Sequence, residues 1–524
     1  MNMRYWGVLW AAVAVSGCYE NFGEAIRVTP EADRYIRAGA MAGGIEQPNH
    51  ILYGAELSGV DYVALRTSPD GEDWSQWSTV QTLGSSDDVG MPSEMNLLAD
   101  VQDPNKLYAA YSWRDADRNV VVEFARSVNG GGNWSHRAQP WGSQNLKLVQ
   151  NPETGAIVAA WATSESFRDH NVWVATSVDN GVSFSEPVVA HSMRGPFNGQ
   201  ASYMTLMGAT YATQVSGPAR LLIAFNWNYD ASTPFTVWTV GSDDDGRSWP
   251  HLNYLTQAGS SGFGNLGFAK GDIAADGTPN SGRVFVAWYD RTNEDGVIRY
   301  MLSEDGGSSY GDEQTLGNTP DNNQTSDGLD LVAGEAGSML FFYSQGNLYY
   351  HELSGEAWAG PRRVNNYVHQ GTGVAYRQGG AILGGGNRMI ASWADARWTE
   401  GDREIAVALS DPSLEEDFSV EIVASSVFDE ARRSEAINFD YVVENVGANT
   451  QTVDVWVEYR GANGISGTLK SDRLTLDPAE ATTLEFSATV ARRAPYQSYD
   501  LTVYAGPSRN NVLDRDFFRA TVVQ

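Results

Sequence analysis

One octapeptide recurs along this chain, and no other feature constrains the fold as much. Ser177-Val178-Asp179-Asn180-Gly181-Val182-Ser183-Phe184 is followed by Ser242-Asp243-Asp244-Asp245-Gly246-Arg247-Ser248-Trp249 and by Ser303-Glu304-Asp305-Gly306-Gly307-Ser308-Ser309-Tyr310. Ser127 to Trp134 keep the pattern with Asn129 in place of Asp, and Ser68 to Trp74 carry a copy around Asp70 that is one residue shorter. The residue types describe a tight turn. Gly takes the positive φ, and Asp or Asn hydrogen-bonds its own backbone. The closing aromatic brings a large apolar surface that must be buried against something. A unit repeated in this way predicts an array of one supersecondary element, each copy completing the core of the next.

A second repeat lies upstream of each turn. Apolar runs occur at Ile51–Leu57, Leu107–Trp113, Ile157–Trp161, Leu221–Trp227, Val284–Tyr289, Met339–Tyr343 and Met389–Trp393. Each is followed by a polar loop, a further strand and a turn position, and the positions near Trp358 and Ser410 are degenerate. No helical period competes with this pattern, so the expectation is an all-β fold of seven such units. Phe22 to Val28 look like the edge strand that follows a turn, without the turn itself. They are expected to form the outer strand of the last unit and so leave no open sheet edge.

The pattern S-x-D-x-G-x-x-[WFY] resembles the Asp-box, or BNR repeat, of sialidases and related β-propellers. The resemblance implies an Asp-box β-propeller, with seven blades preferred and six possible, because sialidases have six. Asp70, Asn129, Asp179, Asp244 and Asp305 are then structural turn residues and not calcium ligands, since the spacing lacks a complete EF-type set. From about Phe418 the repeat stops. Alternating runs such as Ile437–Val443 and Val453–Tyr459 predict a β-sandwich over residues 418–524. Asn445-Val446-Gly447 there resembles cell-adhesion-type (CARDB-like) bacterial Ig folds.

The N-terminus reads as a targeting segment. Met1 to Arg4 are short and positive, and Tyr5 to Val15 are apolar but too few to span a bilayer as a helix. Val15-Ser16-Gly17-Cys18 resembles a bacterial lipobox, which implies cleavage of residues 1–17 and a diacylglycerol on the Cys18 thiol. Tyr19 follows where an Asp would imply inner-membrane retention, so the expected location is the outer membrane or cell surface. Cys18 is the only cysteine of the 524 residues, which excludes an intrachain disulfide. The domain organisation expected is a signal peptide over 1–17, a propeller over 18–417 and the sandwich over 418–524. A formal charge of −30 excludes a nucleic-acid footprint. Membrane contact is expected only through the lipid.

No HExxH, P-loop, dinucleotide fingerprint or GxSxG elbow occurs, and no cofactor or metal is expected. The Asp-box resemblance places the boxes on one face and the loops after the second strands on the other. Those loops carry aromatic, Arg and Asp side chains, which suit a sugar or carboxylate ligand. The ligand-binding set expected is Arg114, Tyr289, Asp290, Arg291, Asp395, Arg397 and Trp398. Blade-to-blade ion pairs are the competing role for each of them. A sialidase further needs three Arg on the substrate carboxylate, an Asp acid/base and a Tyr nucleophile helped by Glu. Arg37 and Asp61 are the nearest matches to the first Arg and the acid/base. Arg37 lacks the Ile and Pro of the family motif, and no Tyr–Glu pair is assignable. The expected function is a surface module that binds a glycan or a surface protein, with an exo-acting glycosidase of sialidase type as the alternative.

Overall fold

The computed structural model describes residues 21–523 apart from 23–25, 29–33, 38–39, 45–46, 71–72, 86–89, 143, 165–168, 196–201, 215, 230–234, 259–270, 276–279, 291–296, 319–328, 335–336, 345–346, 355–356, 365–377, 385–387, 396–403, 412–418, 424–429, 446–449, 462–465, 479, 497 and 507–513. Every regular element among them is a β-strand. The chain divides into two compact units that meet at Ser410 and Asp411, seven residues before the expected boundary.

The first unit contains seven antiparallel sheets among the described residues; six are built from strands consecutive in sequence, and the seventh adds Asn21–Phe22 and Ile26–Arg27 to the last three strands of the unit. The apolar runs become the second strand of each sheet: Gln47–Leu57, Leu107–Arg114, Ile157–Ser164, Arg220–Asn228, Val284–Asp290, Gly337–Ser344 and Arg388–Asp395. Both faces of these strands are buried, which explains near-continuous apolar stretches where a half-exposed strand would alternate. The first strands (Met41–Gly44, Gly90–Ala99, Gln144–Gln150, Tyr203–Ala212, Gly271–Ala275, Leu329–Gly334 and Gln378–Gly384) neighbour one another in a closed cycle. Ile26–Arg27 pair antiparallel with Glu404–Asp411, the third strand of the seventh sheet, with Ile26 opposite Val407. The expected N-terminal edge strand therefore completes the last sheet.

The repeated octapeptides all form one turn. In the third sheet the Ser177 hydroxyl donates to Asp179 Oδ1 at 2.8 Å, and Gly181 N donates to Ser177 Oγ at 2.9 Å. Asp179 Oδ1 also accepts from Ser183 N at 2.9 Å, and its Oδ2 accepts from the Ser183 hydroxyl at 2.6 Å. The same four bonds recur around Asp244 and around Asp305. Asn129 keeps the three its side chain permits, and Asp70 keeps the bonds to Ser68 and to Asp73 N. Gly181 is needed twice over: its φ is +75°, and a Cβ there would lie 2.9 Å from the Phe124 ring of the preceding sheet.

The closing aromatics fill the seams between sheets. Phe184 sits edge-on to Phe124 and Trp141, each at 4.8 Å between centroids. Trp134, Trp249 and Tyr310 pack into the clusters between the first and second, third and fourth, and fourth and fifth sheets. Trp358, at the degenerate sixth position, does the same against Phe285 and Tyr300. These rings are partly buried, and each contributes about 1–2 kcal/mol to the seam it fills.

In the second unit, sheets of three and five strands share one core. Phe439, Tyr441 and Phe486 from the smaller sheet meet Val453, Val455, Val457, Leu501 and Val503 from the larger. Asn445 is buried and donates from Nδ2 to the Leu476 carbonyl at 2.9 Å, tying the end of Ala436–Glu444 to Ser466–Leu476 of the larger sheet.

Candidate functional site

Strand register separates the two ends of the ring. Each box serine lies opposite the start of a second strand: Ser127 faces Leu107, Ser177 faces Ile157, Ser242 faces Leu221 and Ser303 faces Val284. The boxes therefore crowd one end. The ends of the second strands, with the loops that follow them, form the opposite end, here called the mouth.

Around the mouth, many charged groups are taken up by neighbours. In the fifth sheet Asp290 is 5% exposed and accepts from Arg299 Nε at 2.6 Å. The other arm of that guanidinium bonds Glu313. Partial burial works against the Arg299 charge, yet Glu313 and Asp290 outweigh it and raise the arginine above its usual range. Tyr289 beside it is buried in the cluster between the fifth and sixth sheets, so its ring serves the core. In the third sheet Asp169 pairs with Arg194 at 3.2 Å. His170 there is buried and bonds the Ser202 hydroxyl at 2.7 Å, tying the third sheet to the residue that opens the fourth. Burial holds its imidazole below the usual range.

Arg114 and Asp115 open the turn after the second strand of the second sheet. Arg114 is exposed and donates from Nη1 to the Arg118 carbonyl at 3.2 Å. Asp115 accepts from Asn119 N at 2.8 Å and from Asn119 Nδ2 at 3.1 Å, so it shapes its own loop. In the fourth sheet Trp227 is half-buried and meets Tyr229 edge-on at 5.9 Å, and Tyr229 is 43% exposed. That pair offers a ring to solvent with a second ring bracing it, a surface on which a pyranose can stack.

Asp61, the acid/base candidate, is buried at the start of the third strand of the first sheet, opposite Glu56. Arg37 lies in the first sheet opposite Gly54, and Asp395 ends the second strand of the seventh sheet opposite Glu404. Arg291, Arg397, Trp398 and Cys18 lie outside the described residues. The described residues thus bring Arg114, Tyr289, Asp290 and Asp395 to the mouth end of the ring, with Asp290 in an internal ion pair and Tyr289 in the core.

Three contributors were not anticipated. Arg299 and Arg194 pair with carboxylates one strand away, and only register reveals such partners. Asp272, near the mouth end of its first strand, is buried and accepts from Leu331 N of the next sheet at 3.0 Å. Burial drives its carboxyl upward, against the pull of Lys147 and of backbone N–H groups. Gly208 makes room for it, since a Cβ there would lie 2.2 Å from Asp272 Oδ1. A lone Asp in an otherwise apolar pentapeptide was the available signal. Among the described residues no group of three or more His, Cys, Asp or Glu could hold a metal, and no helix is long and apolar enough to cross a membrane.

No family model and no curated protein matches the chain. Among solved structures it is similar to a polysaccharide lyase, an ulvan lyase, with 13% identity over 74% of this chain and 96% of the other, at a TM-score of 0.46. An α-L-arabinofuranosidase of Fusarium graminearum matches at 12% identity over 63% of this chain and 94% of its own, with a TM-score of 0.40. An α-L-arabinanase of Penicillium chrysogenum matches at 16% identity, covering 60% and 92% of the respective chains, with a TM-score of 0.38.

Proposed function

We propose that the first unit is a seven-bladed Asp-box propeller that binds a glycan at its mouth, held at the outer membrane or cell surface by a lipid on Cys18. The cycle of seven sheets and the repeated box turn support the propeller. The lipid rests on the lipobox-like segment ending at Cys18, and the second unit is read as an Ig-like sandwich, a spacer or a second adhesive unit. One observation carries the choice of binder over hydrolase: among the described residues, the carboxylates near the mouth are engaged by the protein itself. Asp290 is buried against Arg299 and Asp115 is bonded into its own loop, while Asp169 meets Arg194 in an exposed pair. Among the described mouth residues that face solvent are Tyr229, braced edge-on by Trp227, and Arg114 on another sheet.

Arg291, Arg397 and Trp398 complete the ligand surface in this reading, and a protein ligand at the same mouth is the second form of it. A glycan array probed with the purified full chain, beside a panel of fluorogenic glycosides, tests the assignment. Binding without turnover is expected, and Tyr229→Ala should weaken it by about 1–2 kcal/mol, the worth of an aromatic surface covered in part. Turnover of a sialoside would return the enzyme reading. An array without signal would remove the glycan.

A further inference from the structure

The direction of the N-terminal strand decides which end of the ring faces a membrane. Ile26 lies opposite Val407 and Arg27 opposite Ala406, so this strand runs antiparallel to Glu404–Asp411. Glu404 faces Asp395 at the mouth end of the seventh sheet, and Leu409 faces Ile390 toward the box end. Moving from Arg27 back toward the N-terminus therefore moves from the mouth toward the boxes. Asn21–Phe22 still belong to this sheet. The chain thus leaves the ring at its box end, and Cys18 is three residues further on.

Three residues span at most about 10 Å even when fully extended. The eight-residue strand Leu107–Arg114 rises about 25 Å from the box end to the mouth. A lipid on Cys18 cannot reach past the ring to bring the mouth against the bilayer. We propose that the box end faces the lipid surface and the mouth points away from it, open to ligands from the far side. This inference rests on the acylation of Cys18 proposed above.

The chemistry of the anchor makes the test clean. Cys18 is the only native cysteine, and its thiol would be consumed by the lipid. A cysteine introduced elsewhere is then the one reactive thiol. Two positions on the second sheet serve: Val128→Cys on the box turn, where Val128 is 55% exposed, and Asp117→Cys on the exposed mouth turn. Each full-length lipidated variant is labelled with a fluorophore. It is then reconstituted from outside onto phosphatidylethanolamine–phosphatidylglycerol vesicles carrying a nitroxide-headgroup lipid.

The label at position 128 should lose most of its emission and the label at position 117 should keep its own. Quenching at 117 with 128 spared, or equal quenching at both, overturns the orientation while leaving the anchor intact. The intact mass of the membrane-extracted protein separates the other failure. A chain that carries no lipid overturns the anchor and this inference with it.

Discussion

At the scale of single residues, the box aspartates act through geometry, and their acidity reports it. The Ser183 hydroxyl and backbone bonds hold the Asp179 carboxyl at about 2. Burial opposes the same effect at Asp244 and Asp305, yet the Ser248 and Ser309 bonds still keep both below the usual range. A carboxylate with a lowered folded pKa gives stability that is present above about pH 4 and lost as the pH falls toward 2. Asp179→Ala should cost about 1–2 kcal/mol in denaturant unfolding, and the loss should shrink when the measurement is repeated near pH 3. His50 makes a second test. It is buried, its Nδ1 bonds Thr67 Oγ1 at 2.9 Å, and burial lowers its pKa to about 4. Between pH 6.5 and 4 the unfolded chain protonates this ring while the folded chain does not. Stability therefore falls with pH across that window, by up to about 3 kcal/mol. His136, His170 and His191 are lowered too, so His50→Gln should flatten part of the slope in melting temperature, not all of it. Asn49 is the odd residue of the repeat. It faces box Ser68 where other sheets place Leu107, Ile157, Leu221 and Val284, and neither of its buried amide atoms has a hydrogen-bond partner among the described residues. Asn49→Leu should raise the melting temperature, worth about 1–3 kcal/mol. A lower value would mean the amide is used.

At the scale of elements, the latch decides whether the sheets form a ring. Deleting residues 19–29 removes Ile26–Arg27 from the seventh sheet, exposing the edge of Glu404–Asp411. The melting temperature should drop by several degrees, and the truncated protein should associate through the bared edge in size-exclusion chromatography. An unchanged melting temperature would mean that these residues close nothing. Second strands and box turns were legible in the sequence because each has a local cause: strands buried on both faces must be apolar, and the turn is wired by its own side chains. First strands such as Gly271–Ala275 were not, being short and flanked by polar segments. The site was legible only in outline. Trp227 and Arg114 could be placed at strand ends, but Asp290 and Tyr289, expected in the ligand-binding set, are respectively ion-paired to Arg299 and held in the core. Their partners, Arg299 and the seam to the sixth sheet, lie a strand or a sheet away, and no linear spacing encodes that distance.

At the scale of the whole molecule, the two ends of the ring should separate stability from binding. The boxes wire sheet to sheet, so their variants should change unfolding. The mouth loops lie outside that wiring and are free to carry a ligand surface. Arg291→Ala and Arg397→Ala should each weaken an acidic glycan by about 1.5–3 kcal/mol, the range for hydrogen bonds to charged groups. The melting temperature should not move. The charge of −30 opposes acidic ligands at long range. Affinity for such a glycan should therefore rise with ionic strength, opposite to the trend for a nucleic-acid binder. The most direct measurement is isothermal titration of the strongest array glycan into the parent chain, Arg291→Ala and Asp179→Ala, with melting curves on the same samples. The account predicts that Arg291→Ala loses affinity at unchanged stability, while Asp179→Ala loses stability at unchanged affinity. Affinity that follows Asp179 and ignores Arg291 would contradict it.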